Sequence, residues 1–288
     1  YTHSSRTGVF ANFAAPIQIN FLGFPGTMGV NYIDYIVADH TLITSENENH
    51  FSEKIVYMPH SYQSNLSHRE ISNETLSRQE LGLPDKGFIF SCFNSPHKIT
   101  PMTFKSWMRI LKSVEGSVLW LYCNNKDTIS NISKTASKFG IDENRIIYAK
   151  RLPVEEHLNR IKKADLFLDT LPYNAHTTAS EALRMGVPVL TLIGNSFASR
   201  VAASLLNAVN IPELITYTQV EYESLAIELA LNSEKLGNIK RKLINNLPTS
   251  ALFDCRTYTK NLELAFDAMH QRSQSGLEPD NIMVRDLM

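Results

Sequence analysis

The stretch DTLPYNAHTTASEALRMGVP, Asp169–Pro188, decides how this chain is read. LFLDT leads into it as a strand, and VPVLTL leaves it as another. Between them the chain turns through Pro172, Tyr173 and Asn174, then opens a helix, TTASEALRMG, with His176, Thr177 and Thr178. Gly186 ends that helix. A plain connection between strand and helix needs no such opening. A helix whose first turn holds an anion does, because unbonded N–H groups and the helix dipole both favour negative charge there.

Working outward, the same alternation repeats. FIFSCF, SVLWLYC and RIIYA read as strands; PMTFKSWMRILKSV, TISNISKTASKFG, VEEHLNRIKKA and SFASRVAASLLNAV read as helices. Strands of about four to seven residues alternating with helices of about ten or more predict parallel βαβ units, hence a Rossmann-like domain. Upstream, PIQINFLG (Pro16–Gly23), DYIVAD (Asp34–Asp39) and KIVYMP (Lys54–Pro59) read as strands of an earlier α/β unit. QSNLSHREISNETLSRQE, Gln63–Glu80, is polar and reads as a connector with a short helix. Tyr222 to Arg272 is mostly helical, and the stretch after it has no clear period. The division predicted is the end of one α/β domain over 1–64, a linker over 65–84, a complete Rossmann-like domain with terminal helices over 85–272, and a tail over 273–288.

The totals suit a water-soluble enzyme or binding domain. Of the 288 residues, 43% are hydrophobic and 20% charged, and the formal net charge is −1. Such a balance gives no electrostatic case for nucleic acid or a membrane surface. No apolar run reaches the roughly 18–20 residues of a membrane span. Cys92, Cys123 and Cys255 are widely spaced with no CxxC pair, which fits a reducing compartment, here the cytoplasm. The chain opens YTHSSRTG with no initiator methionine, and is read as a piece of a longer protein.

Four stretches carry candidate chemistry. In Asp169–Pro188, Thr177 and Thr178 add hydroxyl donors to the helix start, and Glu181 can accept from ribose hydroxyls; a helix with an ordinary Thr cap is the plainer alternative. In CFNSPHKITP, Cys92–Pro101, Lys98 follows a strand and precedes a helix, placing a point charge at the ligand edge of the sheet; a solvated loop lysine is the alternative. In RLPVEEHLNRIKKADLFLDT, His157 and Arg160 share one helix face, where they can meet a base or a phosphate or simply suit the helix dipole. In FLGFPGTMG, Phe21–Gly29, three glycines and a proline let the backbone approach something closely, or make a structural turn. The remaining histidines, His3, His40, His50, His60, His68 and His270, lack metal-ligand spacing, so no zinc is expected. The dinucleotide fingerprint is absent, which makes an NAD-dependent enzyme a distant alternative.

Taken together, these blocks resemble the catalytic region of the O-linked N-acetylglucosamine transferases, glycosyltransferase family forty-one, including their SPINDLY-like and bacterial members. YTHSSRTGVFANFAAPIQINFLGFPGTMGVNYIDYIVAD, SEKIVYMPHSYQ, RQELGLPDKGFIFSCFNSPHKITP, RIIYAKRLPVEEHLNR, DLFLDTLPYNAHTTASEALRMGVPVLTL and ASRVAASLL match in order over about residues 1–270. The resemblance implies an α/β fold of GT-B type: two Rossmann-like domains over a cleft, the N-terminal one truncated here. It implies an inverting transfer of N-acetylglucosamine from UDP-N-acetylglucosamine to Ser or Thr hydroxyls of proteins, with no metal or other cofactor. Tetratricopeptide repeats usually precede the region.

Residue by residue, the resemblance makes Lys98 the diphosphate and leaving-group lysine. His176, Thr177 and Thr178 become the phosphate-binding helix start, Glu181 an acidic ribose ligand, and His157 with Arg160 the nucleobase-side pair. Leu22 and Gly23 fall in the loop beside the donor sugar. Ser95 stands where some members carry a phosphate-contacting glutamine, and Val154 where the family has a lysine beside the base. The family's catalytic-region histidine lies upstream of Tyr1, so the resemblance implies that this stretch alone does not catalyse. GDP-fucose protein O-fucosyl transfer of SPINDLY type and a non-catalytic UDP-binding module are the alternatives.

Overall fold

The computed structural model describes residues 5–72 and 76–286. It contains two parallel sheets. The first is built by β1 (Ile19–Asn20), β2 (Tyr35–Asp39) and β3 (Lys54–Met58). The second uses β4 (Ile89–Cys92), β5 (Val118–Tyr122), β6 (Ile146–Ala149), β7 (Leu166–Leu168), β8 (Val189–Leu192) and β9 (Ile215–Thr216). Helices α1 (Pro101–Ser113), α2 (Lys126–Lys138), α3 (Val154–Ile161), α4 (Thr177–Arg184) and α5 (Val201–Ala208) cross between its strands. Three more follow: α6 (Gln219–Leu231), α7 (Ser233–Asn246) and α8 (Cys255–Gln274).

The second sheet runs β6-β5-β4-β7-β8-β9, all parallel. Counted from β4 this is the doubly wound order 3-2-1-4-5-6, whose strand direction of travel reverses between β4 and β7. Ligands of such sheets sit beyond the carboxyl ends of those two strands. The loops that leave them, residues 93–100 and 169–176, fall in two of the four stretches with candidate chemistry. The helices between strands form for the expected reasons. Thr100 caps α1 through its side chain with Pro101 at the first position, and Asn125 caps α2. Gly140 and Gly186, at φ 70° and 74°, end α2 and α4 in the left-handed conformation open to glycine.

Several boundaries differ from the sequence reading. Only Ile19–Asn20 of PIQINFLG pairs as a strand, because the backbone turns away at Leu22, φ 55°. The helix read through SFASRVAASLLNAV splits into a 3-10 turn, Phe197–Ser199, and α5, with Arg200 at the break. Among its described residues the connector 63–80 carries no helix; residues 73–75, part of that expectation, lie outside the described residues, as does His3.

The largest difference lies downstream. The last helix does not stay with the second sheet. Ala265 and Met269 of α8, one turn apart, pack on Tyr35, Val37, Val56 and Met58 of the first sheet. The intervening Ile36, Ala38, Ile55 and Tyr57 face the other way, into the core shared with the second sheet. Every residue of β2 is buried: Tyr35 and Val37 lie under α8, Ile36 and Ala38 face the partner domain, as the two-residue period of a strand requires, and Asp39 ends the strand. Beyond α8, Ile282–Met283 forms β10, parallel to β3. Asn281 Oδ1 also accepts from Ile55 N at 2.9 Å. The segment read as a tail is thus a strand of the first sheet, and the C-terminal domain read as 85–272 yields its last helix to the N-terminal one. Two residues are too short a run to announce a strand by alternation.

The two sheets are joined by buried polar contacts as well as by apolar ones. Asp39, at the end of β2, accepts from Ser204 Oγ of α5 at 2.6 Å and from the linker amide Tyr62 N at 3.0 Å. Arg200 donates to Thr41 O at 2.6 Å and to Gly194 O at 3.0 Å, tying the two domains at a second point. Tyr258 of α8 donates to Tyr62 O at 2.6 Å.

Candidate functional site

The switch point is organised around Asp169, a fully buried carboxylate just past β7. Its Oδ1 accepts from the amides of Thr170 at 2.7 Å and Ala175 at 2.6 Å, and its Oδ2 from Thr191 Oγ1 of β8 at 2.7 Å. One side chain thereby closes the loop 170–175 onto itself. Burial pushes its carboxyl up to about 7, against the pull of those donors and of Lys98. Asn94, leaving β4, donates to Thr170 Oγ1 at 2.8 Å and accepts from Thr178 Oγ1, so the loops after β4 and β7 and the first turn of α4 form one network.

Lys98 sits on this network. Its Nζ donates to Asn174 O at 2.8 Å and lies 4.0 Å from the centre of the Tyr173 ring. That ring stacks on His176, with centroids 4.9 Å apart. Lys98 is part-buried, which lowers its pKa, while Asp169 acts in the opposite sense and favours the charged form. A desolvated ammonium is thus held beside the start of α4. His176 is the N-cap of α4 by position, but its side chain does not cap it. The ordinary Thr cap is therefore not what the helix uses: no side chain caps it, and Ala179 N in its first turn bonds back to His176 O at 3.1 Å.

The two residues expected on the base side belong to a second, connected group. Arg160 donates from Nε to His157 Nδ1 at 3.0 Å and to Lys150 O, with its guanidinium 5.5 Å from the Phe93 ring and 5.9 Å from that of Trp120. Because Nδ1 accepts, the neutral imidazole carries its proton on Nε2. That nitrogen faces Glu181 Oε2 at 3.8 Å. Burial, and then Arg160, lower the His157 pKa to about 4, while burial lowers that of Arg160 to about 10.

A cleft of about 420 Å³ opens between the sheets and gathers part of the expected set. Leu22, His176, Thr177 and Glu181 line it, together with linker residues Tyr62, Gln63 and Arg69, and with Arg184, Cys255 and Tyr258. Lys98, Thr178, His157 and Arg160 are not among its lining residues; His157 faces the lining residue Glu181 at 3.8 Å. Two expected residues fall elsewhere. Ser95 is exposed and bonds His97 Nδ1 at 2.9 Å, while Gly23 lines a separate shallow hollow with Phe10, Phe24 and Met28. The glycine-rich loop is a built turn: buried Glu53 accepts from Met28 N and from Thr27 Oγ1 at 2.6 Å. No group of three or more His, Cys, Asp or Glu side chains is placed to hold a metal ion among the described residues.

Comparison with known proteins fixes the family. The family described as Glycosyl transferase family 41 matches residues 1–72 and 63–262. The chain belongs to that family. Within glycosyltransferase family 41, it is 36% identical to the probable UDP-N-acetylglucosamine–peptide N-acetylglucosaminyltransferase SEC of Arabidopsis thaliana, over 99% of this chain and 30% of that protein. It is 33% identical to the protein of Hordeum vulgare named SPINDLY, described as a probable enzyme of the same activity, over 97% of this chain and 30% of that one. Among solved structures, a point mutant of the Thermobaculum terrenum O-GlcNAc transferase superposes with a TM-score of 0.81 at 28% identity, covering 93% of this chain and 51% of that one. The chain therefore spans about a third of the length of the curated family members it matches and half of the solved one. With its two facing parallel Rossmann-like sheets the fold is of GT-B type.

Sequence reasoning missed Asp169 as the organiser, Asn94 as the bridge and Arg69 as a cleft residue. The first two were legible in principle, as polar residues ending apolar strands. Arg69 was not, since it lies in a polar connector without period.

The two neutral histidines have a stability consequence. Burial, and then Lys98, lower the His176 pKa to about 4. Unfolded, it returns to about 6.5, so the unfolded chain binds the extra proton and the stability contributed by the neutral ring is present above pH 6.5 and lost as pH falls toward 4. The expected loss for this one group between pH 7 and pH 5 is roughly 1–2 kcal/mol. Urea midpoints of His176→Asn are expected to fall less over that interval than those of the wild type; parallel curves would show that His176 is charged or exposed when folded.

Proposed function

We propose that this chain is the donor-binding part of an inverting protein O-glycosyltransferase that uses UDP-N-acetylglucosamine, and that the protein containing it glycosylates Ser or Thr hydroxyls. The observation that carries the reading is the meeting of the Lys98 ammonium with the uncapped start of α4 at the switch point of a Rossmann-like sheet. Both supply positive potential fixed in place, and both suit the diphosphate of a nucleotide sugar. The names of the Arabidopsis and barley relatives support the donor and the peptide acceptor.

In this reading the acceptor hydroxyl oxygen attacks the anomeric carbon, its proton passes to a base, and the bond to the β-phosphate oxygen breaks with inversion, the electron pair leaving with UDP. The departing UDP gains negative charge as it leaves. Lys98 and the α4 amides stabilise that charge more in the transition state than in the bound donor, which is what accelerates the step. His157 and Arg160 take the base side and Glu181 the ribose, with Thr177 and Thr178 on the phosphates. Leu22 borders the sugar. Leaving-group stabilisation by a lysine requires no metal, and upstream tetratricopeptide repeats and a cytoplasmic setting complete the proposal.

Calorimetric titration of the chain with UDP and, separately, GDP tests it. Binding of UDP in preference to GDP is expected. A preference for GDP would move the reading to fucosyl transfer, and UDP binding without transfer by the longer protein would reduce the chain to a binding module.

A further inference from the structure

One face of α4 is turned wholly toward the connector between the domains. Thr177, Ser180, Glu181 and Arg184 follow the i, i+3, i+4, i+7 spacing and line the cleft together. Ser180 Oγ accepts from Gln63 Nε2 at 3.3 Å, and Arg184 donates to Leu66 O and, at 3.3 Å, to Ser67 O. Between those two contacts, Arg69 Nη1 meets Glu181 Oε1 at 3.3 Å. Arg184 spends its guanidinium on the connector backbone and on the face of Phe253, 4.1 Å away. Among the described residues Arg69 makes one ion pair, and it is with the carboxylate assigned to the ribose.

We propose that Arg69 is a positioning residue for nucleotide binding: from the connector it aims the Glu181 carboxylate into the cleft and so makes ribose recognition depend on how the connector is seated. This rests on the donor-binding reading and adds to it a residue outside both sheets. The charged groups facing Glu181 are Arg69 from the connector, Arg184 from its own helix, and His157 from α3, which is neutral near pH 7. Burial raises the Glu181 pKa, and Arg69 is the largest influence holding it down. A carboxylate aimed and charged accepts from two ribose hydroxyls; a protonated one cannot accept as well and no longer pairs with Arg69. His157 Nε2–H is left to steady the other carboxylate oxygen.

Two measurements on the unliganded and liganded chain test this separately. In the absence of nucleotide, the carboxyl carbon of Glu181 is titrated by NMR in the wild type, Arg69→Gln and Arg69→Lys. The midpoint is expected to rise in Arg69→Gln and to return toward the wild type in Arg69→Lys. An unchanged midpoint overturns the proposal whatever the protein binds. With UDP, calorimetry at pH 8 and pH 6 is expected to give a wild-type affinity that changes little. The Arg69→Gln affinity is expected to fall several-fold more than the wild-type affinity between pH 8 and pH 6, because a higher Glu181 midpoint leaves more of the carboxyl protonated at pH 6. In Glu181→Gln the affinity is weak at both pH values, and adding Arg69→Gln changes nothing further. A loss in Arg69→Gln that is equal at both pH values, or that persists in the Glu181→Gln background, would show Arg69 acting on the phosphates or on the fold and not through Glu181. Failure of the wild type to bind UDP would sink the donor reading, while the NMR titration still decides the role of Arg69.

Discussion

Lys98→Ala is expected to lower kcat by about 10²–10³-fold in the sugar-transferring protein, with a much smaller change in donor KM. The size follows from where the ammonium stands. It is part-buried, desolvated and fixed by Asn174 O and the Tyr173 ring, so it does not reorganise when charge develops on the leaving diphosphate. A fixed charge in a dry site acts far more strongly than the same charge in water. In the proposed reaction its loss removes stabilisation that grows only as the glycosidic bond breaks, so turnover and not binding is expected to carry the cost. Lys98→Arg keeps the charge but not its compact shape, and an intermediate rate is expected. Steady-state kinetics on the three proteins, with circular dichroism to confirm folding, checks this. Turnover within a few-fold of the wild type in Lys98→Ala would remove Lys98 from the chemistry.

Asp169→Ala is the substitution with the largest expected effect on stability, about 3–5 kcal/mol. Four donors converge on its carboxylate inside the protein: the amides of Thr170 and Ala175, Thr191 Oγ1 and, at 3.5 Å, Asn94 Nδ2; alanine strands the first three. Their desolvation is not recovered elsewhere, because Thr191 lies buried in β8 and both amides point inward at the buried carboxylate. Tyr222 also donates to Asp169 O at 3.0 Å and Trp107 Nε1 to Tyr222 OH at 3.1 Å, so the disturbance reaches α6 and α1. Urea unfolding gives the figure directly. A loss below about 1 kcal/mol would mean that the loop 170–175 finds other acceptors. Because this loop carries the Asn174 oxygen that fixes Lys98, a destabilised Asp169→Ala protein is expected to lose turnover as well.

The alternating half of the fold was legible because each strand there is a short apolar run closed by a polar residue, and most helices have a capping residue or a terminal glycine. Asp169, Gly140 and Gly186 marked the correct joints. The candidate site was legible to the extent that it lies at those joints: Lys98, His176, Thr177 and Glu181 come together because β4 and β7 are neighbours at the switch point. Val154 is exposed and Ser95 bonds His97 of its own loop, so neither of these positions lines the cleft. The parts not legible are those fixed by contacts far apart in sequence. Nothing in LELAFDAMHQR says that Ala265 and Met269 will cover the first sheet, and nothing in DNIMVRD announces a strand, since both are settled by a surface some 200 residues away. Arg69 belongs to the same class.

That distant pairing also sets an order of events. β3 is made before the whole of the second sheet, yet its neighbour β10 and its cover α8 come after that sheet. Until they arrive, one edge of the first sheet has open hydrogen-bonding groups and one face has uncovered Tyr35, Val37, Val56 and Met58. An unpaired edge beside an apolar face is the usual template for association with other chains. The second sheet, by contrast, draws its strands from one continuous stretch and can close as it emerges. The strands of the first sheet therefore wait, while the second is made, for their last partners, and that interval is when they are exposed to association.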